Sequence, residues 1–111
     1  ELEMILQNEL HQTVNVLTTV YTSLNFTLID ILPPDASKGT GLERLAKFEN
    51  VAPENVMAIG DNFNDLQMLE FAGTAVLMGN ATPELLEQAR FHETLSNDEN
   101  GVALAIEKFI L

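Results

Sequence analysis

Val56-Met57-Ala58-Ile59-Gly60-Asp61-Asn62-Phe63-Asn64-Asp65 is the stretch that decides how this chain is read. The run Val56–Ile59 is continuously apolar, the pattern of a strand buried on both faces. It leads into a glycine and then into two carboxylates four residues apart, Asp61 and Asp65. In open α/β sheets, ligands bind beyond the carboxyl ends of the strands, and this loop must lie there. Asp61, Asp65, Asn62 and Asn64 offer hard oxygen ligands of the kind Mg²⁺ takes while keeping several waters. The competing reading is a polar turn in which Asp65 only caps the next helix.

Downstream, Asp65–Phe71 has a helical pattern that Gly73 closes, and Thr74–Met78 is a second buried strand. Thr82-Pro83 supplies an N-cap and a first-turn proline for a helix to about Arg90. Phe91–Leu95 predicts a third short strand. The polar turn Ser96–Gly101 then enters a last helix carrying Val102, Leu104, Ala105, Ile106, Phe109 and Ile110. Upstream, Ser37 is an N-cap, and the stripe Leu42, Leu45, Ala46 predicts a helix to about Glu49. From Ser37 onward helices and strands alternate, which argues for an α/β fold with a parallel sheet.

The first section has a different pattern. Leu2, Ile5, Leu6 and Leu10 have helical spacing over Glu1–His11. Thr13–Tyr21 and Asn25–Leu32 read as two strands joined around Thr22–Asn25, and Pro33-Pro34-Asp35 ends the section. The chain therefore divides into residues 1–34 and residues 35–111. Glu1 is not Met and nothing near it resembles a protein's beginning, so the chain is expected to be part of something longer.

Charge narrows the function. Five Lys+Arg against 17 Asp+Glu give a net charge of −12 over 111 residues. Such a surface repels phosphate backbones and anionic lipids and attracts divalent cations, so neither nucleic acid nor membrane is an expected partner. With no cysteine there are no disulfides, no thiolate nucleophile and no Cys-ligated zinc, which fits a cytoplasmic location. No apolar run approaches the roughly 18 residues of a membrane-spanning helix.

Ser37-Lys38-Gly39-Thr40 opens a helix, whose N-terminus already favours anions. A lysine works against that dipole. Among five basic residues its placement points to neutralising a bound phosphate beside a metal; the competing reading is a solvated lysine on an exposed turn.

Four strings in order, Ser37-Lys38-Gly39, Gly60-Asp61-Asn62-Phe63-Asn64-Asp65, Met78-Gly79-Asn80-Ala81 and Ser96-Asn97-Asp98-Glu99-Asn100-Gly101-Val102, resemble the haloacid dehalogenase superfamily. More narrowly, they resemble the C-terminal part of the Cof-type, cap-bearing phosphatases, over about residues 25–111. The resemblance implies hydrolysis of small phosphate monoesters such as sugar phosphates, through an aspartyl-phosphate, with Mg²⁺ as cofactor. It implies the second half of a Rossmann-like core over residues 35–111, preceded by the last helix and two strands of an α/β cap. Lys38 matches the catalytic lysine that stabilises the nucleophile and the phosphoryl group. Asp61 matches the direct Mg²⁺ ligand, and Asp65 the second acid, either a ligand or a partner holding the metal's waters. Asn64 matches an amide that contacts the substrate. Gly79 and Asn80 match a structural loop.

One departure is large. The family's nucleophile lies in an Asp-x-Asp motif, and this sequence contains none; Asp30 is followed two residues on by Leu32. The chain carries the metal and lysine half of a site and is expected to be inactive alone. The competing reading is a non-catalytic acidic α/β interaction module that self-associates through an exposed sheet edge. Ser96–Glu107 has calcium-loop spacing, but Ser96 stands where the first ligand should be Asp, so an N-capping turn is the better reading. His11 and His92 read as ordinary surface residues. Met4, Met57, Met68 and Met78 read as core fillers.

Overall fold

A helix and a strand pair open the computed structural model, which describes residues 2–10 and 13–111. Helix α1 spans Leu2–Leu10, and strands β1 (Asn15–Tyr21) and β2 (Phe26–Leu32) pair antiparallel, with Leu17 opposite Asp30, Thr19 opposite Leu28 and Tyr21 opposite Phe26. A 3₁₀ turn, Thr22–Leu24, joins them. Asn25 follows at φ 48°, the left-handed conformation that asparagine tolerates better than most residues. The Tyr21 and Phe26 rings stack at 5.8 Å and close the tip. His11 lies outside the described residues. Met4 is 66% exposed on α1, so it does not fill a core.

Helix α2, Lys38–Phe48, starts where expected. Ser37 Oγ accepts from the Thr40 N–H at 3.0 Å, and Thr40 Oγ1 accepts from the Ser37 N–H at 3.0 Å, a reciprocal cap. Gly39 lets α2 approach helix α3 (Leu66–Phe71) closely, since a Cβ there would stand 2.5 Å from the Gln67 Cβ.

Strands β3 (Met57–Gly60), β4 (Thr74–Leu77) and β5 (His92–Glu93) form a parallel sheet in that order. The class is α/β, as the alternation of elements predicts. Ala58, Ala75 and Leu77 pack with Leu69, Ala81 and Leu85 on one face, walled by Leu42, Leu66 and Met68. Helix α5, Gly101–Phe109, covers the other face with buried Gly101 and Ala105, and its Phe109 ring meets His92 at 4.7 Å.

Three expectations need correction. The strand at Met57–Gly60 is not buried on both faces: Ala58 and Gly60 are buried, but Met57 and Ile59 on the other face are only half-buried. The helix expected to reach Arg90 is only Pro83–Leu86 (α4), and Ala89 at φ 49° reverses the chain. Thr82 does not cap it by its side chain, and its Oγ1 is buried without a partner among the described residues. The third strand contracts from Phe91–Leu95 to His92–Glu93. Around it, the N–H of Thr94 still bonds the Leu77 carbonyl at 3.0 Å. The turn Asn97–Glu99 is capped by Ser96, whose hydroxyl donates to Glu99 at 2.6 Å and holds that carboxyl below its ordinary range. No helix among the described residues is long and apolar enough to cross a membrane.

Candidate functional site

The site begins at the carboxyl end of β3. Gly60 is buried and tight: a Cβ there would stand 2.6 Å from the Cβ of Asp65. The chain then makes a 3₁₀ turn, Phe63–Asp65, capped reciprocally by Asn62 and Asp65. Asp65 Oδ2 accepts from the N–H groups of Asp61 at 3.0 Å and Asn62 at 3.2 Å. Its Oδ1 takes the ammonium of Lys38 at 2.5 Å. The Asp65 side chain therefore does not cap helix α3, as the capping alternative had it, but closes the turn before it and also binds the lysine.

The two acids differ in electrostatics. Burial alone would raise the Asp65 carboxyl, but the Lys38 hydrogen bond, the backbone N–H groups and the Lys38 charge together bring it below its ordinary value. Burial raises the Asp61 carboxyl, and the neighbouring Asp65 carboxylate raises it further. Asp61 is exposed, and its backbone carbonyl accepts from the Thr82 N–H at 3.0 Å. This is a fixed negative group with a second negative group behind it, an arrangement a cation relieves.

Lys38, Asp61, Asp65 and Asn64 are thus neighbours, brought from α2 and from the loop after β3. A cleft of about 270 Å³ lies over them, lined by Lys38, Asp61, Asn64, Thr82 and, from the hairpin, Thr19 and Tyr21. Asn80 supports the rim, its Oδ1 accepting from the Asn97 N–H at 2.9 Å. Among the described residues, no three His, Cys, Asp or Glu side chains converge as a metal cage. The donor set suits a hard cation that keeps its waters and binds through one carboxylate.

Sequence reasoning counted Asn62 only as an oxygen donor, missing its part in the turn and the hairpin, and missed Thr19 and Tyr21 at the cleft. Asn62 had a local signal, since Asn-x-x-Asp is a capping pattern. Thr19 and Tyr21 had none, because their place at the cleft depends on how the hairpin docks.

A family model described as haloacid dehalogenase-like hydrolase matches residues 1–106. The chain is 50% identical over 82 residues to the putative phosphatase YxeH of Bacillus subtilis, covering 74% of this chain and 30% of that protein. It is 44% identical over 89 residues to the B. subtilis 5-amino-6-(5-phospho-D-ribitylamino)uracil phosphatase YwtE, covering 80% and 31%. A haloacid dehalogenase-like hydrolase structure from B. subtilis superposes with a TM-score of 0.75 at 35% identity, over 98% of this chain and 36% of that one. The chain thus spans about a third of the length of these relatives.

Proposed function

This chain belongs to the haloacid dehalogenase-like hydrolases of Cof type, and we propose that it carries the lysine and metal half of a phosphomonoesterase site. In this reading residues 1–34 are the end of a cap, and residues 35–111 are the second half of the catalytic core. The observation that carries the proposal is the Lys38–Asp65 ion pair beside the exposed Asp61 carboxylate.

Each residue has a distinct task. Asp65, the buried acid, uses its Oδ1 on Lys38 and its Oδ2 on the turn, so its task in this reading is to position the lysine and the loop behind Asp61. Lys38, whose side chain is half-exposed, presents its ammonium to the phosphate oxygens of the substrate. Asn64 lines the same cleft and donates its amide to the substrate. Asp61 is the ligand for Mg²⁺, which when bound neutralises charge on the phosphoryl group. The overall reaction takes a phosphate monoester and water to an alcohol and inorganic phosphate. The carboxylate nucleophile is not among these 111 residues, because the sequence has no Asp-x-Asp.

Small phosphate esters, sugar phosphates among them, are the proposed substrates; the relative YwtE is named for one small phosphorylated compound. The test is Mg²⁺-dependent hydrolysis of an aryl phosphate by a version long enough to include an Asp-x-Asp segment. Turnover that disappears in Asp61→Asn is expected, and turnover retained in that variant overturns the assignment. The 111-residue chain alone is expected to show none.

A second reading, the acidic interaction module, is favoured by one observation. Among the described strands, β3 pairs only with β4, so its other edge is open beside half-buried Met57 and Ile59. Light scattering decides: self-association is expected on this reading, and a monomer at high concentration counts against it.

A further inference from the structure

The side chain of Asn62 makes two hydrogen bonds, one local and one to a distant part of the chain. Its Oδ1 accepts from the adjacent Phe63 N–H at 2.8 Å. Its Nδ2 donates to the Val20 carbonyl at 2.9 Å, 42 positions upstream on β1. The residue is 8% exposed, so water competes poorly for either bond. The first bond belongs to the turn that presents Asp61, and the second seats the hairpin. Tyr21 and Ser23 on the hairpin face Asp61 and Asn64 across one cleft.

We propose that Asn62 is a positioning residue that couples the seat of the β1–β2 hairpin to the Asp61–Asp65 turn, and so sets the width of the cleft between them. The chemistry of the side chain supports this. Serine caps such a turn but is too short to reach Val20, and aspartate caps it but has no donor. At this length asparagine both accepts and donates. The hairpin has a second tie at its base, where Asn15 Nδ2 donates to the Ala36 carbonyl at 2.7 Å. Between the two ties the hydroxyls of Thr18 and Thr19 are buried without partners among the described residues. Asn15 and Asn62 thus anchor opposite ends of β1.

The consequence for catalysis rests on the phosphatase reading, whereas the coupling itself does not. Amide hydrogen exchange on the 111-residue chain tests the coupling without turnover, so failure of one is distinguishable from failure of the other. Asn62→Ser, which keeps the cap, is expected to speed exchange of residues 17–21 about fivefold, with the amides of α2 and β4 unchanged. Asn62→Asp is expected to loosen the hairpin at least as much. In the reciprocal direction, Asn15→Ser is expected to speed exchange of residues 63–65 when Asn62 is present and to add nothing in the Asn62→Ser background. Unchanged hairpin exchange in both Asn62 variants overturns the proposal. So does acceleration spread evenly over the whole chain, or an Asn15→Ser effect on the turn that is equal in the two backgrounds.

Discussion

Lys38 and Asp65 meet across 27 positions of sequence in a 2.5 Å ion pair whose two ends live in different solvents. The lysine side chain is 51% exposed and the aspartate side chain 4%. The acid is thus the buried partner, and the lysine is the one able to reach a ligand without leaving it. Removing the lysine would leave a carboxylate in the interior with only backbone N–H groups for company.

Lys38→Met is therefore expected to destabilise the chain by about 1–3 kcal/mol, as loss of a partner to a buried charged group does. Lys38→Met in an Asp65→Asn background is expected to cost less than in the wild type. Urea unfolding of the four forms measures this, and costs that simply add would show that the two residues do not act as a pair.

Acid titration is expected to separate the two aspartates. For Asp65 the folded value is lowered, so its stabilisation is fully present above the ordinary 3.8 and is lost as pH falls through the lower folded value. For Asp61 the folded value is raised, so its charge opposes folding at neutral pH, and that opposition fades as pH falls through the raised value. At pH 7 Asp61→Asn should stabilise the metal-free chain, by at most about 1 kcal/mol given its exposure, and Asp65→Asn should destabilise it. Both differences should shrink in acid. Equal destabilisation by the two variants at pH 7 would contradict the assignment.

Gly60→Ala should be poorly tolerated although its backbone is not left-handed. The added methyl falls 2.6 Å from the Cβ of Asp65, the residue holding Lys38. An overpacking cost of about 1–3 kcal/mol is expected, together with a displaced Asp65. A thermal melt within a degree of wild type would show that the turn yields more easily than its contacts suggest.

Thr82→Val tests the opposite case. The Thr82 hydroxyl is buried without a partner among the described residues, so an apolar replacement of similar shape should be neutral or stabilise by about 1 kcal/mol. A loss of comparable size would reveal a partner for that hydroxyl.

How much was legible depended on whether the cause was local. The strand–Gly60–Asp61 junction and the Ser37 cap were readable because a handful of adjacent residues determines each. The length of α4 was not. Ala89 has no intrinsic liking for φ 49°, and beyond it the chain makes a contact no local pattern announces, Arg90 with Glu70 at 2.9 Å. Nor does an apolar run such as Val56–Ile59 say what lies opposite each face. The two acids were legible as a pair. Their division of labour was not, because it depends on a lysine that the fold brings in from another helix.

The reciprocal caps Ser37–Thr40, Asn62–Asp65 and Ser96–Glu99 each close within four residues. Such turns need no finished interior to take shape, so each is open to sampling while the chain is still expanded. Two of them carry Lys38 and Asp61, and the third holds the rim through Asn97. The end of this molecule that forms the cleft is accordingly written in short words, each turn closing locally although Lys38 meets Asp65 only in the folded chain. Core residues such as Leu69 or Leu85 can be exchanged for others of similar bulk, and the words keep their meaning.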